Sequence, residues 1–299
     1  MNLRSLLIFL VPILIHAQQE PFLTNFRFQM NVINPAYAGA EAQNMISLSS
    51  RNQWVSLENS PKTQVMTFSS ERKNNVGLGL SVISNNFYVE RNTASYIDFS
   101  YKLKTSNDAS LYLGIKAGAT FYKANLLGLN SLDSAMDPAQ GSFSRVNPNV
   151  GIGMLFQTER YWLSFSIPRI FSNGNENNLS TTSTDRIHTY LGGGTTINLA
   201  DSFFLKPSIL IRNVTDLGLS ADILGVISFK NIFDIGASYR TTNTLGLLSY
   251  FSIKDFLDVG YGYETPIESG LSGLSVRTHE ISLRFKFGAT SEVEEVIKE

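Results

Sequence analysis

From residue 44 onward, hydrophobic and polar residues alternate along this chain with a period of two. In "LYLGIKAGATFY" (111–122) every second residue belongs to one apolar face, and the residues between them are mostly polar or small. The same alternation recurs in "TASYIDFSYKLK" (93–104) and "THEISLRFKF" (278–287). Successive side chains of a β-strand point to opposite faces, so this period predicts strands with one apolar face, not amphipathic helices.

Extending this reading to the whole chain predicts fourteen strands. They fall near 44–54, 63–73, 76–84, 93–104, 110–122, 148–157, 160–168, 186–199, 202–212, 217–229, 232–240, 244–253, 256–264 and 277–287. Most are longer than the five or six residues usual in globular proteins. Their length suits tilted strands that cross a bilayer, which need about 9–11 residues. An even strand number is also usual in bacterial outer-membrane barrels.

The connections between these segments differ in length from one end of the predicted sheet to the other. If the first strand starts in the periplasm, the periplasmic turns are short and polar, for example "KNN" (73–75) and "QTER" (157–160). The opposite set contains the long connections 123–147, 169–185 and 265–276. Outer-membrane barrels have short periplasmic turns and long extracellular loops. The pattern therefore predicts an all-β, transmembrane, antiparallel up-and-down β-barrel of about 14 strands over residues 44–287.

The first seventeen residues read as a secretory signal peptide. Arg4 precedes the apolar run "SLLIFLVPILI", and Ala17 offers a cleavage point before Gln18. Residues 18–43 then form a periplasmic or lumenal N-terminal segment, and residues 288–299 form a periplasmic C-terminal tail. The chain contains no cysteine, which excludes disulfides and thiol chemistry. Its net charge of −1 gives no basic surface for nucleic acid.

Catalytic and cofactor motifs are not indicated by the sequence. "GLGL" (77–80) and "GGG" (192–194) lie inside predicted strands, and they lack the strand–loop–helix context of a phosphate-binding loop. Glycines there favour close packing or barrel curvature. His188 and His279 are isolated, which does not suggest a metal pair. We therefore expect no enzyme activity, no cofactor and no metal site.

The segment "NVINPAYAG" (31–39) stands out before the first strand. Pro35 disfavours the helical conformation at Asn34, so the chain should be extended or turned there. Ala36, Ala38 and Gly39 permit close approach to another surface, and Tyr37 supplies one bulky ring. A plain linker into the first strand is the alternative. Our hypothesis is that this segment packs inside the barrel near its periplasmic end as a plug, with Tyr37 as the anchor.

These residues also carry a family resemblance. "QQEPFLTNFRFQMNVINPAYAG", followed by "RNQW" and a terminal "EISLRFKFG", resembles the PorP/SprF family of outer-membrane proteins of type IX secretion and gliding in the Bacteroidota. The matching positions include Asn34, Pro35, Ala36, Tyr37, Ala38 and Gly39, and then Arg51, Gln53 and Trp54 of the Arg-x-Gln-Trp motif. We take these nine residues as candidates for the family motif and the lumenal plug.

The resemblance implies a function in protein secretion. Its expected partners are outer-membrane lipid, a secreted cargo protein with a type B C-terminal sorting domain, other type IX secretion components, and a periplasmic peptidoglycan-associated protein. The barrel would bind the cargo, and retain it or help to export it. Two alternatives stay open at this point: an outer-membrane porin or transporter of small hydrophobic solutes, and a soluble secreted β adhesin module.

Overall fold

The computed structural model of the protein describes residues 23–41, 43–55, 57–125, 142–171, 186–215, 217–267 and 277–288. Within these ranges fifteen β-strands form one antiparallel sheet. The strands are β1 (Asn44–Asn52), β2 (Lys62–Ser69), β3 (Val76–Phe87), β4 (Glu90–Lys104), β5 (Ala109–Asn125), β6 (Ser142–Thr158), β7 (Tyr161–Ile167), β8 (His188–Thr195), β9 (Ile197–Ala200), β10 (Phe203–Val214), β11 (Gly218–Phe229), β12 (Phe233–Arg240), β13 (Thr244–Ile253), β14 (Leu257–Pro266) and β15 (Thr278–Phe287).

The sheet closes into a barrel because its first and last strands pair. β1 is bonded to β2 on one side and to β15 on the other, with Asn44 opposite Phe287 and Asn52 opposite His279. β8 and β9 both pair with β10 and together make one barrel strand. Their break lies opposite Pro207, which has no N–H to donate to a ladder. The barrel therefore has fourteen strands, as the sequence predicts.

Side chains are sorted between the two faces of the wall as the period of two requires. The outward positions are apolar and exposed, such as Ile97 at 64% and Ile115 at 59%. The inward positions between them are polar and buried, such as Asp98 and Lys116. Hydrocarbon cannot hydrogen-bond to an open sheet edge, so an apolar outer wall requires this closed ladder.

The predicted strand boundaries differ from the structure most at 123–147. Residues 123–147 are not one long loop, because β5 continues to Asn125 and β6 begins at Ser142. The predicted strand starts at Pro148, and proline is rare inside sheets. The carbonyl oxygen of Val150 accepts a hydrogen bond from Ile170 N at 2.9 Å, on the side of β7. The backbone N–H and C=O groups of strand residues two apart point to the same side. The nitrogen of Pro148 therefore faces away from β5, so the β5–β6 ladder is not broken.

The two ends of the barrel differ in their connections. At one end the strands are joined by 70–75, 105–108, 159–160, 201–202, 230–232 and 254–256, all short. At the other end the connections include 126–141, 168–187 and 267–277. Short turns mark the periplasmic end of outer-membrane barrels, and the long connections mark the external end. Among the described residues, no helix is long and apolar enough to cross a membrane.

Candidate functional site: a plug in the barrel lumen

Residues 23–39 lie inside the barrel, and we call them the plug. They form a 3₁₀ helix (Phe26–Gln29), one α-helical turn (Met30–Ile33) and a second 3₁₀ helix (Pro35–Tyr37). Thr24 contacts the external halves of the strands, and Gly39 contacts the turn at 70–75 at the periplasmic end. The plug thus descends through the lumen and leads into β1. The predicted signal peptide, residues 18–22 and the tail beyond Gly288 lie outside the described residues.

Asn34 joins the plug to the barrel wall. Its backbone is extended (φ −140°, ψ 112°), and Pro35 opens the following 3₁₀ helix. The side-chain Oδ1 accepts from Ala36 N at 2.9 Å, which caps that helix. Nδ2 donates to the carbonyl oxygens of Met154 at 2.9 Å and Phe165 at 3.3 Å, on β6 and β7. Every polar atom of this fully buried amide therefore has a partner.

Small residues of the plug lie directly against glycines of the wall. Ala36 and Ala38 have no exposed surface. A Cβ at Gly114 would overlap the plug backbone at Pro35 and Ala36, and one at Gly77 would overlap the carbonyl of Ala38. These contacts explain Gly77 of β3 and Gly114 of β5 as sites of close backbone approach. The small residues of the motif are needed because two backbones meet there.

Gly39 makes the turn that carries the chain from the plug towards β1. Its φ of +64° lies in the left-handed region that favours glycine. A Cβ added there would lie 2.8 Å from Gly77 Cα and 2.9 Å from Ser70 O. The backbone N–H of Gly39 donates to Ser69 Oγ at 2.7 Å. Both the conformation and the space at this position therefore require glycine.

Arg72 holds the periplasmic end of the plug. Its Nη2 donates to the carbonyl of Ala38 at 2.8 Å and its Nε to that of Gly39 at 3.0 Å. The guanidinium also lies over the ring of Tyr112, 4.8 Å from the centroid. Ser100 Oγ donates to the same Ala38 carbonyl at 2.5 Å. Arg72, which lies on a periplasmic turn, thus donates hydrogen bonds to the two backbone carbonyls that follow the second 3₁₀ helix.

A chain of ion pairs holds the external end. Arg51 bonds Glu264 at 2.5 Å and contacts Glu280 at 3.4 Å, and all three side chains are buried. The same guanidinium donates to Thr24 Oγ1 at 2.8 Å, and Thr24 N donates to Glu280 at 2.8 Å. Arg240 extends the chain by bonding Glu264 at 3.2 Å. The arginine of the Arg-x-Gln-Trp motif therefore contacts the plug directly.

Halfway down the lumen, a buried pair meets the plug backbone. Lys116 Nζ lies 2.6 Å from Asp98 Oδ1 and donates to the carbonyl of Asn31 at 3.0 Å. The sequence pattern assigns both charged residues to the polar face of their strands, but it does not show that they are partners. Alternation predicts which face of a strand a side chain lies on, but it does not predict the register between β4 and β5 that places these two residues opposite each other.

Apolar contacts complete the fit of the plug. Phe26 and Met30 pack with Leu224 and Leu248 of the wall in one buried cluster. Phe28 stacks on Tyr250 with ring centroids 4.0 Å apart, and the Arg284 guanidinium covers its other face at 3.9 Å. The lumen is thus filled by a mixture of apolar packing and ion pairs.

Tyr37 takes part in this packing through its ring, which lies against buried residues of the plug and the wall. Its ring meets Trp162 edge to face, with centroids 6.4 Å apart. Burial raises the pKa of Tyr37 well above its usual range, so its phenol is neutral under all physiological conditions. Hydrogen bonds of Asn34, Ala38 and Gly39 also link this part of the plug to the wall.

Gln53 and Trp54 lie away from the plug. Both follow β1 at the external end, where Gln53 N donates to Pro61 O at 3.0 Å. Trp54 adopts a left-handed backbone (φ 52°) and meets Phe87 edge to face at 6.4 Å. The motif therefore divides between the lumen, which Arg51 faces, and the external rim. Within the described residues, no group of three or more histidines and carboxylates could hold a metal ion.

Replacing Asn34 by leucine is expected to loosen the plug. The change removes three hydrogen bonds worth about 1 kcal/mol each, so local opening should become easier by about 3 kcal/mol, or roughly 100-fold. Hydrogen exchange of the 23–41 peptide, followed by mass spectrometry, measures this. Tyr37→Phe is the control, because it keeps the ring contact with Trp162 and should change exchange by less than about fivefold. Equal effects of the two variants would contradict the assignment of Asn34.

Comparison with known proteins identifies the family. The sequence matches the family model of the type IX secretion system membrane protein PorP/SprF over residues 15–285. The chain belongs to the PorP/SprF family. This confirms the resemblance carried by the N-terminal motif, and with the barrel fold it places the protein in the outer membrane. Membership also implies interaction with other components of the secretion system. None of the curated proteins compared with the chain matches its sequence.

Solved barrels resemble this PorP/SprF protein in fold. The CymD monoaromatic hydrocarbon channel is 12% identical, with a TM-score of 0.51 over 88% of this chain and 93% of that one. Omp33 of Acinetobacter baumannii is 11% identical (TM-score 0.49; 83% and 100% covered). The toluene transporter TbuX of Ralstonia pickettii is 9% identical (TM-score 0.49; 85% and 92% covered). At such identities the likeness concerns the barrel alone.

Proposed function

We propose that this PorP/SprF barrel serves type IX secretion as a plugged docking scaffold. It binds a cargo protein through the type B C-terminal sorting domain of that cargo, at the external end, and retains it at the cell surface or helps its export. The role is noncatalytic. The observation that carries the proposal is the plug itself, which is bonded at its external end, its middle and its periplasmic end. A lumen filled in this way is suited to holding a partner at its mouth.

The periplasmic end suits a second contact. The turns there are short, and Arg72 links one of them to the plug. We propose that a periplasmic, peptidoglycan-associated component of the secretion system binds these turns. Such a partner would anchor the barrel below while the cargo occupies the mouth above.

Deletion and complementation test the cargo role. Removing the gene from the producing bacterium should eliminate one or a few proteins with type B sorting domains from the cell surface, as measured by mass spectrometry of shaved surface peptides. The wild-type gene should restore them. If the surface proteins are unchanged but uptake of a hydrophobic solute falls, the scaffold proposal is wrong and a transporter is favoured.

A disulfide lock tests whether the plug must move. The chain has no cysteine, so a variant with both Ala38→Cys and Gly79→Cys would contain only the two thiols that form the lock. A Cβ at Gly79 would lie 3.1 Å from Ala38 Cβ, close to the roughly 3.5–4.5 Å of a disulfide. Cells carrying the locked barrel should retain the cargo at the wild-type level, because the cargo does not pass through the lumen.

The single variants Ala38→Cys and Gly79→Cys are the matched controls. Each carries one of the two changes but cannot form the bond. If both single variants support retention and the oxidised double variant does not, movement of the plug is required. The static scaffold would then have to be abandoned.

A further inference from the structure

A cavity remains between the plug and the external half of the wall. Its floor is made by plug residues, and its walls come from β2, β3, β4, β8, β10 and β11. Its volume is about 80 Å³, several times the roughly 10–15 Å³ that one water molecule needs. We call this space the chamber. It is large enough for a ligand of several heavy atoms and far too small for a folded domain.

The lining of the chamber is apolar over much of its surface. Phe26, Val32 and Ile33 of the plug face Val65 and Leu210 of the wall across it. Lumenal positions of outer-membrane barrels are usually polar, so apolar wall residues at this level are unusual. An apolar surface of this kind favours a ligand with a hydrocarbon body.

Charged groups enter the same space. Arg169 and Arg212 line the chamber together with one carboxylate, Asp222. Asp222 Oδ1 is engaged by Arg240 Nε at 2.7 Å, and Arg212 is hydrogen-bonded to Tyr190. A guanidinium has five N–H donors, so a bond to Tyr190 is compatible with another to a ligand. The chamber lining therefore offers more guanidinium donors than carboxylate acceptors, which favours a ligand with an acceptor group such as a carboxylate.

Arg169 reaches the chamber through a specific turn. β7 ends at Ile167, and Pro168 lies over Gly151, where a Cβ would overlap it. Asn149 Oδ1 accepts from Ile170 N at 2.9 Å and Phe171 N at 3.0 Å, and its Nδ2 donates to Phe171 O at 2.7 Å. Arg169 is buried within this turn. The fold thus places a second guanidinium at the chamber instead of continuing the strand.

We propose that the chamber binds an apolar carboxylate, with the hydrocarbon on the floor of the plug and the carboxylate on Arg212 and Arg169. Two sources share this chemistry: a small free carboxylic acid, and the C-terminal residue of a peptide chain with an apolar side chain. The site does not depend on the cargo role, and it can be tested on the isolated barrel.

Calorimetry of the full chain in lipid nanodiscs tests the site. Hexanoate should bind, and hexanamide, which has the same shape without the charge, should bind at least about tenfold more weakly. A short peptide that ends in leucine with a free carboxylate distinguishes the sources. Binding tighter than that of hexanoate indicates a chain terminus, and weaker binding indicates a small acid. Equal binding of hexanoate and hexanamide, or no binding of any probe, would overturn the proposal.

Variants on one strand separate the site from a general charge effect. Arg212→Gln should weaken hexanoate at least about tenfold, and Arg212→Lys should restore part of the loss. Lys206→Gln is the matched control, because Lys206 is six positions earlier on the same face of β10 and bonds Ser228 and Asp234 away from the chamber. Where Arg212→Gln fails to fold, Arg169→Gln provides the same comparison. Equal losses in Lys206→Gln and the arginine variants would refute a local site.

Discussion

Replacing Gly114 by valine is expected to unseat the plug and open the barrel. Gly114 of β5 faces the lumen, and the nearest atoms to an added Cβ are the backbone of Pro35 and Ala36. The strand is held on both sides by β4 and β6, so it cannot withdraw. Overpacking against backbone typically costs about 1–3 kcal/mol. The upper value corresponds to roughly 100-fold easier opening of the plug.

Two measurements follow the result. Hydrogen exchange of the 23–41 peptide should accelerate about 100-fold, and single-channel recordings in planar bilayers should show a conducting pore that the wild type lacks. A barrel of this strand number has a lumen too wide for its own wall side chains to fill, so removing the plug leaves a path for water and ions.

Gly225→Val is the matched control for this experiment. Gly225 lies in a strand of the same barrel, and a Cβ there has no neighbour within 4 Å. The control adds the same side chain to the same type of structure without touching the plug. If Gly114→Val stays closed and protected like Gly225→Val, the plug does not depend on the contact with β5.

The sequence predicts the strand that contains Gly114, but not the plug segment that packs against it. Alternation over 111–122 was enough to predict a strand and to place Gly114 on the face opposite the apolar residues. The fourteen-strand barrel follows from the same pattern, because hydrocarbon demands an apolar outer face on every strand. Which segment lies against Gly114 is a long-range fact that local periodicity does not contain.

In the N-terminal motif, too, the sequence predicts local conformation but not long-range contacts. Proline at position 35 predicts the extended conformation of Asn34, as observed. The role of the amide is set by the carbonyls of Met154 and Phe165, more than a hundred residues away. Arg51 and Trp54 are three residues apart, yet one faces the lumen and the other lies at the rim, because β1 ends at Asn52 between them. Motif spacing alone does not show where β1 ends.

Replacing Lys116 by methionine is expected to be the most destabilising single change in the lumen. The substitution leaves the Asp98 carboxylate, which is fully buried, without its cation at 2.6 Å. Removing one partner of a buried pair typically costs about 3–5 kcal/mol, since the remaining charge is stranded in a medium of low polarity. Urea unfolding from phospholipid vesicles, followed by the change in gel mobility, should show a loss of this size. Lys104→Met removes an exposed lysine near the periplasmic end of β4 and should change stability by less than about 0.5 kcal/mol.

The double variant Lys116→Met with Asp98→Asn separates two causes of that loss. If the stranded carboxylate dominates, removing it as well should recover most of the stability, because a neutral buried pair is often no less stable than an ionic one. Lys116 also donates to the carbonyl of Asn31 in the plug and to Ser81 Oγ, and the double variant does not restore those bonds. A double variant as unstable as Lys116→Met alone would show that this lysine acts mainly by tying the plug to the wall. Faster exchange of the 23–41 peptide in both variants would then accompany the loss, whereas a stranded charge alone would weaken the barrel without freeing the plug.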